Sequence, residues 1–223
     1  MSFLATWAGF LPDFLDGLRV TLELTGVSLL IGLPLGAVLG LASTSPNRSI
    51  RWPVIVIVEI GRGVPGLIML YFVYYGLPQA QLTLSSFMSA AIALGFTTGA
   101  YMAEIFRAGI NAVPRGQWEA SQALGLSRWN ELRLVVLPQA IRTVIPPIVG
   151  FSILLYQATS LAFAVSVSEL LSRAYNAASI TYQFSAALTL AGLIYAIISL
   201  FAVSLLRIRR RERRTPIIKA AQL

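Results

Sequence analysis

Long apolar stretches separated by short charged segments constrain this chain more than any other feature of its sequence. The stretches are long enough to cross the roughly 30 Å hydrocarbon core of a bilayer. They cover residues 20–41, 53–77, 85–106, 144–167 and 186–206. The chain is 57% hydrophobic and 12% charged, and a soluble all-helical core of 223 residues could not hide so much apolar surface. The sequence therefore predicts an all-α integral membrane protein with about five transmembrane helices.

The positive charges orient these predicted helices. Of the 17 lysine and arginine residues, 14 lie in three segments, as 2 in 43–52, 5 in 107–143 and 7 in 207–219. The positive-inside rule makes these segments cytoplasmic and the N-terminus periplasmic. We expect a periplasmic segment 1–18, a transmembrane domain 19–208 and a basic cytoplasmic tail 209–223. Such a tail binds anionic lipid or nucleic acid in some proteins, but here we interpret it as an orientation anchor beside membrane lipid, with no nucleic-acid role.

The residue types that are missing exclude several kinds of chemistry. The chain has no cysteine and no histidine, so thiol chemistry, histidine acid–base catalysis and the common zinc sites are excluded. Its only lysine is Lys219, which leaves no place for a phosphate-binding P-loop. We therefore expect no catalytic residue, metal or cofactor in this chain. If ATP and Mg²⁺ power its activity, they bind to another subunit.

A polar segment, residues 117–125, stands out between the apolar stretches. Residues 117–124 favour a helix, and Gly125 is placed to end it in the left-handed conformation. Ser127 can cap a second short helix, and Trp118 and Trp129 are candidate anchoring side chains. The spacing predicts a helix–glycine–helix element on the cytoplasmic side. It either docks a soluble partner or lies in the lipid interface.

The spacing of this segment resembles the E-A-A-x3-G-x9-I-x-L-P loop of ABC importer permeases. The matching residues are Glu119, Ala120, Ser121, Gly125, Val135, Leu137 and Pro138, with Ser121 in place of alanine and Val135 in place of isoleucine. Residues 17–22, 62–65, 74–78, 100–110, 137–142 and 159–161 are similar to motifs of the polar amino-acid (histidine/glutamate-type) class. The resemblance implies a type I ABC importer permease fold in a bacterial inner membrane. It also implies an ATPase-coupling role for the loop at about 115–138, through Trp118, Glu119, Ala120 and Gly125.

One departure from that family concerns solute binding. Many relatives carry G-N-E-F where this chain has 149–152, with Gly150 and Phe151 at the asparagine and glutamate positions. The family's K-D-T-S-L likewise becomes 157–161, which begins with Gln157 and Ala158. We expect Arg62, Phe151, Gln157, Thr159 and Ser160 to line the substrate path. Either a paralogous permease holds the solute's charged groups, or the solute differs.

Two pairs of opposite charges lie inside predicted spans. Glu59 and Arg62, and likewise Glu104 and Arg107, are spaced three residues apart and can meet on one helix face. Buried charges in a membrane are paired or face a polar cavity. The pairs mark a substrate path or gate, or else a structural contact between helices.

The sequence thus indicates the permease subunit of an ATP-driven importer of amino acids or related small polar solutes, working by alternating access. The resemblance implies two ATPase subunits, a second permease and a periplasmic solute-binding protein as partners. We expect a paralogue rather than a second copy as that permease. The alternatives are an autonomous secondary transporter, which would typically show internal repeats, and a membrane scaffold, which would not explain the loop spacing.

Overall fold

The computed structural model describes the backbone of residues 3–220 and the side chains of residues 6–204, and all its regular elements are helical. The helices are α1 (Phe3–Ser43), α2 (Arg48–Gly63), α3 (Gly66–Tyr71), α4 (Ser86–Asn111), α5 (Arg115–Ala123), α6 (Arg128–Asn130), α7 (Leu137–Ala158), α8 (Leu170–Thr181) and α9 (Phe184–Ala220). Short π and 3-10 turns extend α3 to Ala80, α6 to Val136 and α7 to Val165. The predicted all-α membrane fold is confirmed.

The structure has four or five candidate membrane spans, against about five predicted, and their boundaries differ from the prediction. Four helical segments are long and apolar enough to cross a membrane: Thr6–Ser43, Ser86–Asn111, Arg128–Val165 and Phe184–Ser204. The pair Arg48–Gly63 and Gly66–Ala80 is bent by 104° between its halves, so it is either a broken fifth span or a re-entrant loop. Glycine and proline at 63–66 explain the break, because proline cannot donate the backbone hydrogen bond that a continuous helix needs.

The first span is longer than the apolar pattern indicates. Helix α1 begins at Phe3 and runs through the segment 1–18 that we expected to precede the membrane domain. Phe14 is fully buried there against α8 and α9, so packing continues the helix beyond the apolar stretch. The predicted basic tail 209–223 lies outside the residues whose side chains are described.

Helices α1 and α4 form the closest packed pair, because glycine removes side chains from their contact. A β-carbon on Gly36 would lie 2.3 Å from the Met102 β-carbon, and one on Gly32 would lie 2.5 Å from the Thr98 side chain. Gly32 and Gly36 are four residues apart, so they share one face of α1. Small residues at this spacing let two backbones approach closely inside a membrane. This pair forms the frame on which α2 and α7 pack.

Helix α8 was not predicted, because it is too short to span a membrane and its apolar residues occupy one face only. Leu170, Ala174 and Ala178 are fully buried against α1 and α9. Glu169 caps its first turn, where the carboxylate accepts hydrogen bonds from the backbone N–H groups of Leu171 (2.9 Å) and Ser172 (2.8 Å). Burial raises the pKa of Glu169, and these hydrogen bonds oppose that increase. The cap thus stabilises the first turn of α8.

Candidate functional site

The predicted short helix in the loop after α4 is confirmed as α5. Its end is a Schellman motif, in which the N–H of Gly125 donates to the Gln122 carbonyl (2.9 Å) and the N–H of Leu126 donates to the Ser121 carbonyl (3.1 Å). Gly125 has φ +73°, the left-handed conformation that the sequence predicted for it. Helix α5 therefore has a sharp, locally encoded end.

The second short helix is also confirmed, and it continues further than expected. The Ser127 hydroxyl accepts a hydrogen bond from the N–H of Asn130 (3.4 Å) and caps α6. From Arg128 the chain stays helical through α7 to Val165. The second half of the predicted loop, up to residue 138, is therefore the start of a membrane-spanning helix. A displacement of α6 would act directly on α7.

The two faces of α5 differ in exposure. Trp118 points inward and packs beside the buried cluster of Ile110, Val113 and Val136. Glu119 and Ala120 are exposed on the outer face. Of the four residues that we expected to take part in coupling, Trp118 thus anchors α5 to the membrane helices. Glu119 and Ala120 are free to meet another protein.

Apolar side chains extend this outer surface. Leu124 is 79% exposed at the end of α5 and Trp129 is 61% exposed in α6. Large apolar residues exposed on a polar loop fit contact with a partner protein or with the lipid interface. We call Glu119, Ala120, Leu124 and Trp129 the docking surface.

A charged cleft lies between α1, α2 and α4. The predicted pairs form, with Arg62 Nη1 3.3 Å from Glu59 Oε1 and Arg107 Nε 2.8 Å from Glu104 Oε1. Arg62 Nη1 also lies 3.9 Å from Glu104 Oε2, which links α2 to α4. The cleft has a volume of about 480 Å³ and a lining that includes Arg51 and Asn111. The four charges thus form one interhelical network instead of two isolated pairs.

Arg62 also belongs to an aromatic cluster beside the break in the second span. Its guanidinium carbon lies 5.8 Å from the centroid of the Tyr101 ring, which is within cation–π range. The Tyr101 ring stacks on Phe151 of α7, with centroids 4.9 Å apart. The structure therefore brings two of the predicted path residues together through Tyr101. We did not assign Tyr101 a role, although it belongs to the 100–110 motif.

The other predicted path residues lie further along α7. The Gln157 side-chain amide donates to the Ser199 hydroxyl of α9 (3.1 Å). Thr159 is fully buried and donates to the Tyr156 carbonyl (2.6 Å), and the Ser160 hydroxyl donates to the Gln157 carbonyl (2.8 Å). In this conformation Thr159 is bonded inside the protein, whereas Gln157 is exposed.

Comparisons with known proteins place this architecture in a family. The model of the family described as "binding-protein-dependent transport system inner membrane component" matches residues 32–214. The arginine transport system permease protein ArtQ of Bacillus subtilis (strain 168) is 38% identical over 85% of this chain and 87% of its own length. The glutamine transport system permease protein GlnP of Escherichia coli (strain K12) is 32% identical over 96% of this chain and 97% of its own.

A solved structure shares the fold over almost the whole chain. It is the crystal structure of an amino acid ABC transporter with histidines, at 31% identity and a TM-score of 0.89. The match covers 95% of this chain and 99% of that chain. This chain therefore belongs to the family of binding-protein-dependent transport system inner membrane components, as a multi-pass permease of the ABC importer type.

Proposed function

We propose that this permease imports an amino acid or a related small polar solute, using ATP that two partner ATPase subunits bind with Mg²⁺ and hydrolyse. The observation that carries this proposal is the docking surface on α5 and α6. It is solvent-exposed and partly apolar, and hydrogen bonds cap the end of α5 and the start of α6. Relatives named for arginine and glutamine transport support the amino-acid class. A periplasmic binding protein delivers the solute.

The helical connection from the docking surface to the membrane domain suggests how the ATPase subunits act on the permease. Closure of the ATPases displaces α5 and α6. Since the chain is helical from Arg128 to Val165, the displacement reaches Phe151 and Gln157 in α7. We propose that this motion switches the permease between outward- and inward-facing states.

The contact of Arg62 with Glu104 is well placed to respond to this switch. It joins α2 to α4 at 3.9 Å, while each residue keeps a partner on its own helix. Because the local partners remain, α2 and α4 can separate without leaving either charge unpaired in the membrane. The charged cleft therefore acts as a cytoplasmic gate, and the ring pair of Tyr101 and Phe151 narrows the path beside it.

We propose the orientation given by the positive charges, with the docking surface in the cytoplasm. Gln79 and Asn130 are both exposed, and the chain has no native cysteine to interfere with labelling. In intact cells, an impermeant maleimide is expected to label a Gln79→Cys variant and not an Asn130→Cys variant. Both variants should label equally after the cells are opened. The reverse pattern in intact cells would show that the orientation is inverted.

Reconstitution tests the proposed function itself. The permease, purified from cells that express it with its ATPases, is expected to retain them, and proteoliposomes should take up solute only with ATP and the binding protein. A non-hydrolysable ATP analogue provides the matched control. Uptake driven by an ion gradient without ATP would instead favour a secondary transporter.

A further inference from the structure

A buried carboxylate lies beneath α5, and its nearest donors belong to that helix. Glu131 is 2% exposed and Ser121 is 2% exposed. The Ser121 hydroxyl lies 2.7 Å from Glu131 Oε1, and the Gln122 side-chain amide lies 3.4 Å from the same oxygen. Glu131 forms no ion pair with any side chain described in residues 6–204. Its charge is therefore compensated chiefly by α5.

The Ser121 hydroxyl has a single proton and two nearby acceptors. Its oxygen is 2.8 Å from the Trp118 carbonyl as well as 2.7 Å from Glu131. A carboxylate forms the stronger hydrogen bond, so it receives the proton. Ser121 stands where the resembled family has alanine, whose methyl group could not donate. This substitution thus has a specific partner in the structure.

Separating Ser121 from Glu131 would cost free energy. A buried carboxylate that loses its donor must bear the full penalty of its removal from water. Helix α5 therefore cannot lift away from Glu131 independently. An exposed hydrogen bond also joins the start of α5 to α7, where the Gln139 side-chain amide donates to Gln117 Oε1 (3.1 Å). Since Gln139 lies in α7 and Glu131 begins the π-helical turn before it, α5 and α7 are held together as one body.

We propose that Ser121 and Glu131 are positioning residues for energy coupling, because their hydrogen bond makes α7 follow the movement of the docking surface. Neither residue touches the solute or ATP. This inference rests on the proposed function, since it requires an ATPase that moves α5. It assigns the transmission of that movement to a pair of residues within the permease.

The test is a double-mutant cycle in the assembled transporter, read as solute molecules imported per ATP hydrolysed. Ser121→Ala is expected to lower this ratio about tenfold, because it leaves the buried carboxylate without its main donor. The double variant Ser121→Ala/Glu131→Leu should recover most of the ratio, since replacing both partners by apolar groups leaves no polar atom unsatisfied. Glu131→Gln keeps an acceptor oxygen and should couple nearly as well as wild type.

Ser85→Ala is the matched control for a purely structural effect. It removes a serine that caps α4, outside the loop that carries the docking surface, so it should lower thermal stability without changing solute imported per ATP. The inference is overturned if Ser121→Ala has the wild-type ratio, or if the double variant does not recover. If the Ser121→Ala permease does not assemble with its ATPases, the double variant decides the test. The inference then requires that the double variant assembles and imports solute at close to the wild-type ratio per ATP. If the wild-type permease retained no ATPase at all, the proposed function would fail instead.

Discussion

Replacing Gly125 with valine is expected to abolish most ATP-driven uptake while the permease still inserts into the membrane. Gly125 has φ +73°, a conformation that costs a residue with a β-carbon about 1–2 kcal/mol. Relaxing this angle breaks the two Schellman bonds that end α5 and turns Leu124 away from the docking surface. Since nothing lies within 4 Å of an added β-carbon, the valine clashes with no membrane helix. Retained ATPase, its hydrolysis rate and solute uptake are to be measured together.

Gly116→Val is the matched control for this substitution. Gly116 lies in the same helix and also has open space around its β-carbon position, but its φ is not positive. It should therefore keep uptake close to that of wild type. Hydrolysis without uptake in Gly125→Val, or loss of the ATPase, is the expected outcome. Wild-type transport by Gly125→Val would remove α5 from the coupling mechanism.

The features that the sequence predicted correctly are those that depend on neighbouring residues. The end of α5 follows from a glycine placed directly after a helix-forming segment, and the start of α6 follows from the Ser127 hydroxyl three residues before Asn130. Each of these features is encoded within a few positions of the chain.

The features that the sequence did not predict depend on contacts between distant segments. Arg62 meets Glu104 and Tyr101 meets Phe151 only because α2 and α7 pack on α4. No local pattern specifies those neighbours. The inward direction of Trp118 likewise depends on the cluster beneath α5. The glycine spacing of α1 was a readable signal for close helix packing, since small residues four apart favour it.

Uptake of an amino acid is expected to require a second permease in addition to this one. Where many relatives have asparagine and glutamate, this chain has Gly150 and Phe151, and the Phe151 ring stacks on Tyr101. Position 151 therefore contributes an aromatic wall in place of a carboxylate for the solute's ammonium group. In a pair of identical subunits, neither half of the path would hold that group at this level. We therefore propose a heterodimer with a paralogue that keeps the polar pair.

Coexpression separates this arrangement from a homodimer. The chain is produced with the ATPase and binding protein, with and without a permease that carries the asparagine–glutamate pair, and uptake of labelled amino acid is measured. We expect uptake only when the second permease is present. The glutamate of the second permease should also be required, because its carboxylate supplies the charge that is missing at position 151 of this chain. A second permease whose glutamate is changed to phenylalanine is the matched control, and it should fail. Full ATP-dependent uptake by this chain alone would refute the heterodimer, and it would mean that a homodimer holds the solute's amine elsewhere or not at all.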